Sequence, residues 1–127
     1  MSWTSSRNAI WSIGVVHLLF MMGELFPWDA PLIMARVLTK WPHPLDLSPN
    51  DTQLVSAVVH NAGIYNGIVG AGLFAAAALG RSGFPVQATL LAGGIVAGLF
   101  GAATLTPATI AQAVVGAIAL GWITSKR

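Results

Sequence analysis

Apolar residues run along this chain in four long stretches, each broken by only a few hydrophilic positions: about residues 8–28, 52–79, 85–105 and 107–123. A bilayer core about 30 Å thick is crossed by roughly 20 helical residues, so the stretches have the length of spans. The period-two alternation of a membrane barrel is absent, and backbone groups in hydrocarbon must bond within their own segment, so helices are predicted. The predicted fold is all-α: an integral membrane four-helix bundle, one membrane domain over residues 1–127, with short turns and a longer outer loop, residues 29–51.

Punctuation agrees with these limits. Ser48, Pro49, Asn50 and Asp51 read as an N-cap, a first-turn proline and an acid at the third helical position, so the second helix is expected to start in water before it enters lipid. Gly80 to Pro85 and Thr106-Pro107 make short turns, which imply antiparallel neighbours. Arg7 precedes the first apolar run as it would in a secretory leader, but no small-x-small site follows, and the run continues through Met21, Met22 and Glu24 to Trp28. The first span is therefore expected to be retained. In the outer loop, Leu32, Ile33, Val37, Leu38 and Trp41 suit either a short helix on the outer leaflet or a lid on the bundle.

Composition narrows the class. Of 127 residues, 55% are hydrophobic and 8% charged, too few charges to wet the surface of a soluble domain, which carries about a quarter. The absence of cysteine excludes disulfides, Fe–S clusters and thiolate zinc sites. A formal charge of +2 with scattered basic residues excludes a nucleic-acid surface. Membrane lipids are the expected partners. With four spans, Arg7, Arg81, Lys126 and Arg127 share one side and Arg36 and Lys40 the other, which places both termini in the cytoplasm.

Helices in lipid associate through small residues that let backbones approach. The second helix has Gly63, Gly67, Gly70, Ala71 and Gly72, the third Gly93, Gly94, Ala97, Gly98 and Gly101, and the fourth Ala113, Gly116 and Ala117. Packing within one chain explains them, and a homodimer is the alternative.

An ionisable group inside lipid is a candidate site. His17 and Glu24 lie seven residues apart on the first helix, nearly two turns, and so share a face about 10 Å apart along the axis. The second helix adds His60, Asn61, Tyr65 and Asn66, with Asn61 and Tyr65 four apart on one face; the fourth adds Gln112, and the third adds Thr104 near its end. Counting inward from the outer ends places Glu24 shallowest, then Gln112, then Asn61, with His17 and Tyr65 near the middle. All fall in the outer half, above a floor of Leu, Ala, Val and Gly in which Gln87, Thr89 and Ser12 are modest exceptions. This suits an outward-open polar pocket better than a pore. His17 with Met21 four residues on has the spacing to ligate a soft metal, but a core contact is the simpler reading. No paired histidines, phosphate loop or nucleophile elbow is present, so neither metal nor cofactor is expected.

Two further patterns identify a relative. His17, Phe20, Met21, Glu24, Phe26 and Trp28, and then Asn61, Gly63, Ile64, Tyr65, Asn66 and Gly67, resemble signatures of the short bacterial membrane proteins grouped as domain of unknown function 1304. Ala97, Gly98, Phe100, Gly101 and Ala102, with Gln112, match a third. The resemblance covers nearly the whole chain and implies a small four-span protein of the bacterial inner membrane, with no established activity. The family commonly has a glutamate where this chain has Val16 and a glutamine where it has Ala62, so the resemblance does not carry an acid-pair mechanism over to this chain.

The expected function is binding or movement of a small polar or amphipathic ligand through a pocket of His17, Glu24, Asn61, Tyr65, Asn66 and Gln112. Glu24 would set charge preference, and Tyr65 would give an aromatic wall with a polar tip. Two alternatives remain open at this point. One is a membrane-embedded enzyme using His17 and Glu24 for proton transfer on a lipid-like substrate, and the other is a scaffold whose polar network is purely structural.

Overall fold

The computed structural model describes residues 3–26, 48–104 and 109–125. Among them are four α-helices and no strand: α1 Trp3–Leu25, α2 Pro49–Ala78, α3 Phe84–Thr104 and α4 Ile110–Thr124, with a 3₁₀ turn Gly80–Gly83 between α2 and α3. The expected loop at residues 29–47, Trp28 and the Thr106-Pro107 turn lie outside the described residues.

Helix α2 starts where its cap dictates. The Ser48 side chain accepts from the Asp51 backbone N–H, and the Asp51 carboxylate accepts from the Ser48 backbone, a reciprocal capping box with Pro49 in the first turn. Pro49 to Asp51, the end of the expected loop, are therefore helical. At its other end α2 gives way to the 3₁₀ turn, where Gly80 takes φ 65°, a left-handed conformation that glycine adopts without strain. α1 begins five residues before the expected span, at Trp3.

Helix α1 packs chiefly on α2, and α3 on α4; contacts of α2 with α3 and of α1 with α4 close the ring. The α1–α2 crossing is close because Gly14 meets the Gly70 carbonyl and Gly70 the Gly14 carbonyl: a Cβ on either would lie 3.3 or 3.0 Å from that oxygen. The α3–α4 crossing is closer still. A Cβ on Gly98 would stand 2.6 Å from the Ala113 nitrogen, and one on Gly116 would stand 3.0 Å from Ile95 Cγ1.

The apolar core lies toward the end that carries the α1 N-terminus and the α2–α3 turn, and it is built from Ile10, Ile13, Leu73, Ala77, Leu91, Ala119 and Ile123. Elsewhere the distribution is inverted relative to a water-soluble domain. Glycine and alanine fill the interior, while Leu19, Phe26, Leu54, Val96 and Phe100 are each about two-thirds exposed. Apolar residues go all the way round each helix. Such a helix is one that sits in a larger core or in lipid.

Candidate functional site

His17 sits mid-way along α1 and is buried, and Glu24 lies two turns further on, half-buried. The side chain that joins them comes from α2. Asn66 donates from Nδ2 to Glu24 Oε2 at 2.7 Å, and its Oδ1 lies 2.9 Å from His17 Nδ1. The amide thus spans the gap between two groups on one face of the neighbouring helix. A carboxylate oxygen accepts, so the amide presents NH₂ toward Glu24 and its carbonyl toward His17. The carbonyl can only accept, so Nδ1 carries the hydrogen of the imidazole. In the neutral ring Nε2 is then an acceptor. It faces α3 at Gly94, where a Cβ would lie 3.4 Å away, in ordinary contact.

Small residues on α2 make this reach possible. A Cβ on Gly63 would lie 3.1 Å from the Glu24 Cβ, and one on Gly67 would stand 2.6 Å from Met21 Sδ. Gly63, Asn66, Gly67 and Gly70 fall on one side of α2, at steps of three and four, and that side faces α1. Met21 therefore lies over Gly67 between His17 and Glu24, as a packing contact.

Of the six expected pocket residues, three come together. Asn61 and Tyr65 do share a face, but it is the outer face of α2: both are exposed, Tyr65 by 62%. Gln112 is half-buried on α4 and makes no hydrogen bond to the other three. Thr104 is occupied locally, donating to the Phe100 carbonyl at 2.7 Å. The Nε2 of His60 is buried without a partner among the described residues.

Gln87 is the polar side chain whose role the sequence left unread. It is fully buried, and its Nε2 donates to the Ala76 carbonyl at 2.8 Å and, more weakly, to the Gly80 carbonyl at 3.4 Å. It satisfies carbonyls that the end of α2 leaves bare. The available signal was its place in the first turn after a tight bend, where a long amide reaches the preceding helix end.

The arrangement constrains the chemistry. A side-chain amide polarises its neighbours but passes a proton only through a high-energy imidic acid, so Asn66 couples Glu24 and His17 while insulating one from the other. Among the described residues no three His, Cys, Asp or Glu side chains gather as a metal ion would require.

A family model described as "Protein of unknown function (DUF1304)" matches residues 12–124 of the chain. No curated protein and no solved structure matches it.

Proposed function

We propose that this chain, which belongs to the DUF1304 family, is a four-span protein of the bacterial inner membrane that binds a small polar or amphipathic molecule at Glu24 and His17. Two described helical stretches, Arg7–Leu25 and Gly80–Thr104, are long and apolar enough to cross a bilayer. The ring of large exposed apolar side chains around a glycine and alanine interior supports lipid as the surroundings of all four helices. By sequence, Arg7, Arg81, Lys126 and Arg127 on one side against Arg36 and Lys40 on the other favour the orientation with both termini in the cytoplasm.

The observation that carries the binding reading is a hydrogen-bonded trio of side chains whose two ends are unbonded. Asn66 is satisfied on both sides, whereas Glu24 Oε1 and His17 Nε2 have no hydrogen-bond partner among the described residues. An acid at the outer end and an acceptor nitrogen deeper in the bundle suit a ligand bearing N–H or O–H donors, with Glu24 favouring a cationic head. Asn61 and Tyr65 take no part in this reading.

The enzyme alternative is weaker, because Asn66 insulates the acid from the base. The structural alternative rests on the same bonds: three side chains that satisfy one another fix the register of α1 on α2. The test is the thermal stability of the chain in nanodiscs with decylamine, decanol or decanoate. Binding at Glu24 raises the midpoint with the amine most, and Glu24→Gln abolishes that preference. If none of the three shifts the midpoint, and Glu24→Gln alters only stability, the network is structural.

A further inference from the structure

The end of the bundle opposite Glu24 holds a second feature. Gly14 lies against the Phe74 ring, and the contacts then step oppositely along the two helices, Leu18 to Gly70 and Met21 to Gly67. Seven residues back from Gly14 and seven on from Phe74 are Arg7 and Arg81, which this antiparallel register brings to one end. Arg7 is exposed and lies over the Trp11 ring, 5.6 Å from its centroid, and Trp11 leans on Phe74 with centroids 5.8 Å apart. Arg81 is exposed in the Gly80–Gly83 turn. Neither has an ion-pair partner among the described residues. The described acids, Glu24 and Asp51, belong to the other end, one bonded to Asn66 and one held in a helix cap.

Directly after Arg81, the first turns of α3 form an open apolar groove of about 260 Å³ lined by Pro85, Val86, Thr89 and Leu90. Its inner wall is Leu90, which packs where a side chain on Gly72 of α2 would be: a Cβ there would lie 2.8 Å from Leu90 Cδ1. A cation four residues before a shallow apolar groove on a helix flank is the complement of an amphiphile with an anionic head.

We propose that this groove holds one anionic phospholipid of the leaflet on the Arg81 side, its phosphate on the Arg81 guanidinium and an acyl chain along Val86, Thr89 and Leu90. The proposal rests on the membrane reading but not on the Glu24 site. Charge complementarity selects the head, because an unpaired guanidinium forms two parallel bonds to a phosphate. A juxtamembrane arginine is also attracted to an anionic surface. Arg7, at the same end and outside the groove, adds to the attraction without contacting the same lipid.

The test is native mass spectrometry of the full chain, loaded with equal phosphatidylglycerol and phosphatidylcholine. The expected result is one phosphatidylglycerol retained at least fivefold over phosphatidylcholine. Arg81→Gln brings the ratio to about one, whereas Arg7→Gln lowers it by less than half. Thr89→Trp, a change at an exposed position that fills the furrow, reduces retention of both lipids while helix content by circular dichroism stays the same. Equal retention by the unsubstituted chain overturns the proposal, as does a preference that survives Arg81→Gln. Flotation with vesicles separates the two failures: a chain that floats but does not discriminate removes only the lipid site, and one that stays in the aqueous phase removes the membrane reading itself.

Discussion

The Oδ1 of Asn66 lies 2.9 Å from the Nδ1 of His17, so a buried imidazole on α1 takes its orientation from α2. Removing the amide strands both of its neighbours. Asn66→Ala is expected to destabilise the chain by about 1–3 kcal/mol, the penalty of leaving buried polar groups without partners. The check is unfolding in mild detergent. Because His17, Asn66 and Glu24 form one chain of bonds, Asn66→Ala combined with Glu24→Gln should lose less than the two single changes together. Strict additivity would mean that the bonds do not act as a unit.

Two glycines separate close approach to backbone from close approach to a flexible side chain. At Gly98 an added methyl meets the Ala113 backbone nitrogen, whereas at Gly67 it meets the sulfur of Met21, which can rotate aside; the separation is 2.6 Å in both cases. Gly98→Ala is therefore expected to push α4 off α3 and to cost about 1–3 kcal/mol, as overpacking does, while Gly67→Ala costs markedly less. Measuring both unfolding midpoints decides it, and the reverse order would contradict the crossing geometry.

At Gly93 and Gly121 nothing lies within 4 Å of an added Cβ. Both sit in helices, so Gly93→Ala and Gly121→Ala should stabilise by about 0.4–1 kcal/mol through reduced freedom of the unfolded chain. Gly80→Ala, at φ 65°, should instead destabilise by about 1–2 kcal/mol. A thermal scan of the three variants provides the comparison.

Ser48→Ala removes the oxygen that accepts from the Asp51 N–H at 3.2 Å. A loss of about 1 kcal/mol is expected, concentrated at the start of α2. Hydrogen exchange should quicken over Asn50 to Gln53 and leave the middle of α2 unchanged.

Much of this was legible beforehand, and the reasons differ by element. The α2 start was readable because a cap is a local chemical pattern: Ser48 and Asp51 find each other across three residues whatever the rest of the chain does. The pairing of His17 with Glu24 on one face followed from helical spacing alone. Which residue of α2 would meet them did not, since His60, Asn61, Tyr65 and Asn66 between them point to several sides of one helix. The deciding clue was the row Gly63, Gly67 and Gly70, which marks the side where α1 comes close. Asn66 lies in that row, and Asn61 and Tyr65 lie well outside it. Gln87 stands out in the sequence as a polar exception, but its role does not, because its partners are backbone carbonyls, which carry no signal in a sequence.

Gln87 grips Ala76 and Gly80 from the far side of the bend, so α2 and α3 are fastened together where they meet, with no help from α4. The α2–α3 pair is thus a hook closed on itself at the bend. A single amide latches the two helices at their shared end, while α4 packs elsewhere on α3, along the side that Gly98 leaves open at Ala113.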